Sequence, residues 1–347
     1  MTTAAGRAVV GWDIGGVNTK VARVREGRVL AARAHPFELQ RDPRALGALL
    51  ATLAGEVGAG PDDAHAVTMT AELSQLFRTK RDGVAFVLDA VADALPADAV
   101  HVYAVDGRFL SPGAARCEPR AVAASNWAAT ARVVAWHHPD AILLDMGTTT
   151  TDVIPIVGGR VAALGHTDPA RLASGELVYT GAVRTPAEAI AAEVPLGDAR
   201  AGTSAEGFAL AGDVHVWRGA LDPIEYSVPT PDGRPTTREY AGERLARVVC
   251  ADRELLDDAA VSAIAEALHA AQVARVADAV TRVCARHPAL RTAVVTGVGA
   301  FLCAEAARRA GLAVHALADT LGSDAARCAP AAAVALLLDT GSREGRA

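Results

Sequence analysis

Two hydrophobic periods alternate along the chain. Short apolar runs end at acids, glycines or polar turns: one opens Val9–Lys20 and ends in Asp13, one opens Ala141–Val153 and ends in Asp145, and others are Ala64–Thr70, Val100–Val105 and Ala293–Val298. These predict strands buried on both faces. Between them lie stretches of helical spacing. Pro43–Val57 carries Leu46, Leu49, Leu50, Leu53 and Val57 behind a cap candidate, Asp42. Further helices are expected over Val84–Leu95, Pro119–Val134, Pro186–Glu193, Leu255–His287 and Ala329–Leu338. Ala209–Val216 and Val314–Leu317 read as additional strands, and the Pro-rich stretch 222–240 as an insertion or flap. Strands alternating with helices imply an α/β protein.

One pattern occurs twice. V-V-G-W-D-I-G-G-V-N-T-K opens the chain at Val9, and A-I-L-L-D-M-G-T-T-T-T-D-V follows from Ala141. A shift of 132 residues carries Asp13 onto Asp145, Gly15 onto Gly147, Thr19 onto Thr151 and Gly27-Arg28-Val29 onto Gly159-Arg160-Val161. Each copy reads as strand, Asp-x-Gly turn, strand, short Gly turn, strand. The register predicts a duplicated domain, divided as 1–138 and 139–347, the insertion lying in the second half.

The chemistry of the turns suits a phosphate. Glycines permit close approach of backbone N–H groups. Gly15, Gly16, Asn18 and Thr19 in the first copy, and Gly147, Thr148, Thr149 and Thr150 in the second, are candidate phosphate ligands. A third Gly turn, Gly297 to Gly299, follows a late strand. Asp13 and Asp145 suit Mg²⁺ bound mainly through water and diphosphate oxygens. They would face each other across an interdomain cleft if the halves pack with pseudo-twofold symmetry. Neither a P-loop nor a Rossmann glycine signature is present. Glu72 follows a predicted strand, where α/β sheets bind ligands. Asp152 and Glu176 are also candidate bases, each fitting a helix cap or a salt bridge equally well. His137-His138 has the wrong spacing for a metal pair and reads as surface connection.

Composition narrows the field. The chain has 347 residues, 51% hydrophobic and 21% charged, with net charge −6. That balance supports full cores and argues against nucleic-acid binding. No apolar run reaches a membrane span and no signal-peptide core opens the chain, so a cytoplasmic protein is expected. Cys117, Cys250, Cys284, Cys303 and Cys328 are scattered and read as buried thiols in a reducing compartment. Lys20 and Lys80 are the only lysines among 34 basic residues, and Asn18 and Asn126 the only asparagines. Where a coding bias replaces Lys by Arg, the survivors are candidates for specific chemistry, such as the compact ammonium of Lys20.

These motifs together carry a resemblance. D-I-G-G-V-N-T-K, L-L-D-M-G-T-T-T-T-D-V and T-G-V-G-A resemble the phosphate 1, phosphate 2 and adenosine motifs of the acetate and sugar kinase/heat-shock 70/actin superfamily. T-M-T-A-E-L (68–73), A-A-S-N-W (123–127), G-E-L-V-Y-T-G-A-V-R-T-P (175–186) and R-L-A-R-V-V-C-A-D (244–252) make the chain similar to its hydantoinase A/oxoprolinase-like branch, and within it to proteins of tetrahydromethanopterin-linked one-carbon pathways. The resemblance implies two ribonuclease H-like (actin/hexokinase-type) domains with mixed sheets flanked by helices. It implies a transferase of methanofuran-type carrier biosynthesis. That enzyme would join [5-(aminomethyl)furan-3-yl]methyl diphosphate to the phenol of γ-glutamyltyramine, or a tyrosine-based analogue, and release diphosphate. Asp13, Lys20, Glu72, Asp145, Asp152 and Glu176 would then be catalytic, with Asn126, Tyr179 and Arg184 binding substrate. Mg²⁺ is the expected cofactor and ATP is not an expected substrate. The alternatives are an ATP-dependent kinase or hydantoinase/oxoprolinase-type enzyme of the same fold, and a non-catalytic binding protein. The acceptor phenol and the formation of a homo-oligomer stay open.

Overall fold

The computed structural model describes residues 7–344. The first sheet is built from β1 (Val9–Ile14), β2 (Asn18–Arg25), β3 (Arg28–Pro36), β4 (Ala64–Met69), β5 (Val100–Tyr103) and β6 (Phe109–Leu110), ordered β3-β2-β1-β4-β5-β6. β2 is antiparallel to β1 and β3, whereas β1, β4 and β5 run parallel. Every residue of β1 and β4 is buried, as expected for parallel strands covered on both faces.

The second sheet uses β7 (Ala141–Met146), β8 (Thr151–Val157), β9 (Arg160–Val161) and β10 (Leu177–Val178). A small hairpin, β11 (Glu193–Leu196) with β12 (Ala199–Gly202), stands apart from it. β13 (Thr292–Thr296) and β14 (Ala313–Ala316) complete the order β10-β8-β7-β13-β14, with β9 also paired to β8 and β13 parallel to β7. The two sheets share one plan, the ribonuclease H-like arrangement expected from the sequence. Their two Asp-x-Gly turns close with the same hydrogen bond. Gly15 N–H donates to the Asn18 carbonyl at 3.0 Å, and Gly147 N–H to the Thr150 carbonyl at 3.0 Å. The following hairpins turn through Glu26 (φ 54°) and Gly27 (φ 73°) in one copy, and Gly158 (φ 56°) and Gly159 (φ 73°) in the other.

The chain forms two compact units, and no single cut separates them. Among the described residues, the first takes those up to Ala141, Ile156–Ala170 and those from Ala316 on; the second takes Ile142–Pro155 and Arg171–His315. A division at 138/139 therefore misses the return of the last helix, Ala329–Glu344, to β1 and β2 of the first sheet. Gly11 makes that return possible: a Cβ there would stand 2.0 Å from the Ala331 carbonyl oxygen and 2.9 Å from the Ala335 Cβ. Asp339 from the same helix accepts a 2.7 Å hydrogen bond from Gly27 N–H.

Several expectations are corrected. Ala209–Val216 is not a strand: Ala211–Trp217 is helical and buried on every side, so its pattern shows no polar face. Asp213 caps it, accepting from Leu210 N–H at 2.8 Å. The helix expected over 119–134 breaks at Ala124, whose φ is +48°, into Pro119–Val122 and Asn126–His137. The helix expected from Val84 starts a turn earlier, at Lys80, on a Thr79–Asp82 capping box. The insertion is anchored rather than free. Buried Arg244 bonds Asp213 at 2.8 Å and reaches Asp232 at 3.0 Å, and Tyr226 donates to Asp213 at 3.2 Å. Cys117 and Cys250 are exposed; Cys303 and Cys328 are buried.

Candidate active site

In the first unit the site begins where β1 ends. Asp13 is 5% exposed and lies across from Lys20 of β2, whose Nζ is 3.4 Å from its Oδ2. Strand alternation puts Asn18 and Lys20 on one face and Thr19 on the other. Thr19 is fully buried, so its hydroxyl is not part of the accessible turn. Gly15 spends its N–H inside the turn on Asn18, whereas Gly16 has open space where a side chain would stand.

The neighbouring strand delivers an unusual carboxylate to the same edge. β4 pairs with β1 in register, Asp13 opposite Thr68 and Ile14 opposite Met69. Thr70 N–H then donates to the Ile14 carbonyl at 2.9 Å. Two residues on, Glu72 is 1% exposed in a single helical turn. Neither of its carboxyl oxygens has a hydrogen-bond partner among the described residues. Lys80, the first residue of the helix Lys80–Ala94, places Nζ 3.6 Å from Glu72 Oε1 and 2.6 Å from Asp168 Oδ2. Burial pushes the Glu72 carboxyl up to about 7, and the Lys80 ammonium opposes that rise. The close seat depends on Gly83. A Cβ there would be 2.4 Å from the Glu72 carbonyl oxygen, so any larger residue would push the helix off. Asp168 is the residue that sequence reading missed. It is 88 residues from Lys80, and only the rarity of Lys80 hinted at a special environment.

In the second unit Asp145 is the penultimate residue of β7 and is half-buried, as are Gly147 and Thr148–Thr150. Gly147 N–H is spent on the Thr150 carbonyl, as in the first turn. The Thr148 carbonyl accepts from Val183 at 3.2 Å and Arg184 at 2.8 Å, so the loop 179–185 braces the threonine run. That loop is braced in turn. Buried Gln272 donates to Thr180 Oγ1 at 2.9 Å and to the Gly181 carbonyl at 2.8 Å, and pairs with His215 Nε2 at 3.0 Å. Gly297 bends with φ +86° against the Asp145 carboxylate. Gly299 is buried and its N–H is taken by the Met146 carbonyl at 3.0 Å. Of the two glycines in the late turn, Gly297 is therefore the half-buried one.

The remaining candidates separate by their partners. Asp152 bonds buried Arg171, and Glu176 bonds Arg286 at 2.9 Å. Both carboxylates are thus engaged in ion pairs that hold β8 and β10 to the surrounding helices. Tyr179 is 58% exposed and Arg184 is exposed, while Asn126 is half-buried at the start of its helix. Among the described residues no group of three or more His, Cys, Asp or Glu side chains could hold a metal ion. Asp13 and Asp145 each present a carboxylate near a strand end, the kind of ligand Mg²⁺ takes while keeping most of its waters. No helix among the described residues is long and apolar enough to cross a membrane.

Comparison with known proteins adds relatives to this geometry. A model of the hydantoinase/oxoprolinase family matches residues 63–340. The chain is 34% identical over 331 residues to the Methanocaldococcus jannaschii (4-{4-[2-(γ-L-glutamylamino)ethyl]phenoxymethyl}furan-2-yl)methanamine synthase, covering 95% of this chain and 97% of that protein. It is 35% identical over 159 residues to the protein of the same name from Methanococcus vannielii, covering 46% of this chain and 70% of that one. Among solved structures, the activator of the 2-hydroxyisocaproyl-CoA dehydratase from Clostridium difficile, with bound ADPNP, aligns with a TM-score of 0.50 at 13% identity, over 98% of this chain and 97% of that chain.

Proposed function

The chain belongs to the hydantoinase/oxoprolinase family, and from that membership we propose that it is a synthase joining a furanylmethyl diphosphate to a phenol. The observation that carries this reading is the 34% identity to the archaeal synthase over 95% of the chain. The name of that relative describes a phenoxymethyl-furan, an ether between a phenol oxygen and a methylene on a furan ring. Making that bond from a furanylmethyl diphosphate is a substitution at the methylene carbon. The phenol oxygen forms the new C–O bond, the old C–O bond breaks, and its electron pair leaves on diphosphate. The phenol proton passes to a base.

Each step asks something of the chain. The electron-rich furan eases loss of the leaving group, and Mg²⁺, when bound, would neutralise part of the charge on the diphosphate. Lys20, Asn18 and Gly16 of the first turn and Thr148, Thr149 and Thr150 of the second are assigned to the developing phosphate charge, a case of electrostatic stabilisation. Asp13 and Asp145 are assigned to the cation. A phenol of pKa about 10 is mostly protonated at neutral pH, so a base poised near neutrality is useful. Glu72 takes that role in preference to Asp152 and Glu176, which are held by Arg171 and Arg286. Asn126, Tyr179 and Arg184 are assigned to the acceptor, whose phenol is that of γ-glutamyltyramine or a tyrosine-based analogue.

The test is diphosphate release from the aminomethylfuran diphosphate with Mg²⁺ and a phenol acceptor, alongside an ATP control. Acceptor-dependent release with a new ether product, indifferent to ATP, is the expected result. ATP consumption without an ether would move the chain to an ATP-dependent enzyme of the same fold.

A further inference from the structure

A lysine shared between two carboxylates, one of them buried, is a device for setting proton affinity. Lys80 is half-exposed and stands 2.6 Å from Asp168 but 3.6 Å from Glu72. Its ammonium is therefore drawn off the buried carboxyl by the more exposed one. Among the described residues, the charged groups that act on Glu72 are Lys80, from the helix Lys80–Ala94, and Asp168, from the helix Asp168–Ser174. The Glu72 backbone itself lies close against Gly83 of the first of these helices, and a backbone hydrogen bond at Glu72 also favours the charged carboxylate.

We propose that Lys80 and Asp168 are a positioning pair: Asp168 draws the Lys80 ammonium closer to itself than to Glu72, and that unequal spacing fixes how readily Glu72 takes a proton. The inference rests on the reading of Glu72 as the base for ether formation. It goes beyond that reading by giving both partners of the base opposite effects. Removing the ammonium leaves Glu72 buried with only like charge nearby, and its proton affinity rises. Removing Asp168 frees the ammonium to close on Glu72, and its proton affinity falls. A purely structural salt bridge has no such opposed signature, because losing either partner would loosen the same contact.

The experiment uses the full chain with its glutamate carboxyls labelled with ¹³C, comparing wild type, Lys80→Met and Asp168→Asn. Glu72→Gln identifies the Glu72 signal by its disappearance. The Glu72 titration is followed without substrate, and the acid limb of kcat/KM for diphosphate release is followed beside it. The expected midpoint moves up by about one pH unit in Lys80→Met and down by about one in Asp168→Asn, the scale of a single nearby charge. The acid limb of the rate profile should follow in both. Lys80→Gln and Asp168→Ser serve where a first variant does not fold. Midpoints that move in the same direction, or stay still, overturn the pair. Opposed midpoints in the two variants, beside a wild-type chain that releases no diphosphate, leave the pair standing and overturn the ether-synthase reading instead.

Discussion

Gly297 stands against the carboxylate of Asp145. A Cβ on Gly297 would lie 2.6 Å from Asp145 Oδ1 and 2.3 Å from the Met146 carbonyl oxygen. The residue also holds φ +86°, a conformation that L side chains rarely adopt. Gly297→Ala therefore adds strain and a clash at one point, and the mobile partner in that clash is the Asp145 side chain. We expect a stability loss of about 1–3 kcal/mol, read by urea unfolding. Turnover should fall further than that loss accounts for, because the displaced group is the carboxylate assigned to the cation. Full activity in a chain destabilised by the same amount would place Asp145 outside the reaction.

Asp13→Asn and Asp145→Asn test the duplicated motif directly. Each substitution keeps the size of the side chain and removes its charge. Asp13 loses its 3.4 Å contact with Lys20 as an ion pair but keeps its place at the end of β1. Turnover should drop by a hundredfold or more, on the order of a lost electrostatic contact to the reacting groups, while circular dichroism and the melting profile stay close to wild type. Raising Mg²⁺ should recover part of the activity if the lost charge had held the cation. Near-normal turnover in both variants would contradict the roles given to the two aspartates.

How much of this could be read from the chain depends on how local each feature is. The two Asp-x-Gly turns were legible because a tight turn is specified within a few residues, and a shift of 132 positions overlays Gly15–Asn18 on Gly147–Thr150 down to the same hydrogen bond. Ala209–Val216 reads as a strand because Val214, His215 and Val216 alternate, while burial of the helix Ala211–Trp217 on all faces erases its helical stripe. The return of the last helix to β1 rests on Gly11, Ala331 and Ala335, small residues that carry no periodic signal of their partner. Glu72 was legible as a strand-end acid, but its special character comes from Asp168 acting through Lys80, and no local pattern links positions so far apart.

Gln272 is the keystone of the loop that braces the threonine run. Its side chain joins Thr180, Gly181 and His215, all buried. Gln272→Leu keeps the bulk and strands three polar partners in the interior. Each unsatisfied group costs about 1–3 kcal/mol, so a loss of several kcal/mol is expected in urea unfolding. The Thr148 carbonyl takes its hydrogen bonds from Val183 and Arg184 of that loop, so KM for the diphosphate substrate should rise as well. Gln272→Glu keeps an acceptor for His215 but loses both donations and sets a buried carboxylate oxygen against the Gly181 carbonyl, so it should lose at least as much as Gln272→Leu. Equal stability of Gln272→Leu and wild type would show that the loop holds its shape without this residue.

Acid should weaken the first unit through a histidine far from any chemistry. Trp12 Nε1–H donates to His65 Nδ1 at 3.2 Å, and both side chains are buried in adjacent parallel strands. Burial pulls the His65 imidazole down to about 4, with Asp63 opposing and Arg7 and His101 adding to the depression. In the unfolded chain it titrates near 6.5. The fold therefore binds the neutral ring and the unfolded chain takes up the proton first. The stability this contributes is fully present above pH 6.5 and is lost as pH falls through 4, on the order of 3 kcal/mol by proton linkage. His215 acts in the same sense, pulled down to about 3 by burial, so wild type alone does not isolate one ring. His65→Asn removes this titration while keeping an acceptor near the Trp12 N–H. Unfolding free energies measured from pH 7 to pH 4 should fall less steeply in His65→Asn than in wild type. Identical slopes would mean that His65 is charged in the folded chain and that the Trp12 hydrogen bond does not set its tautomer.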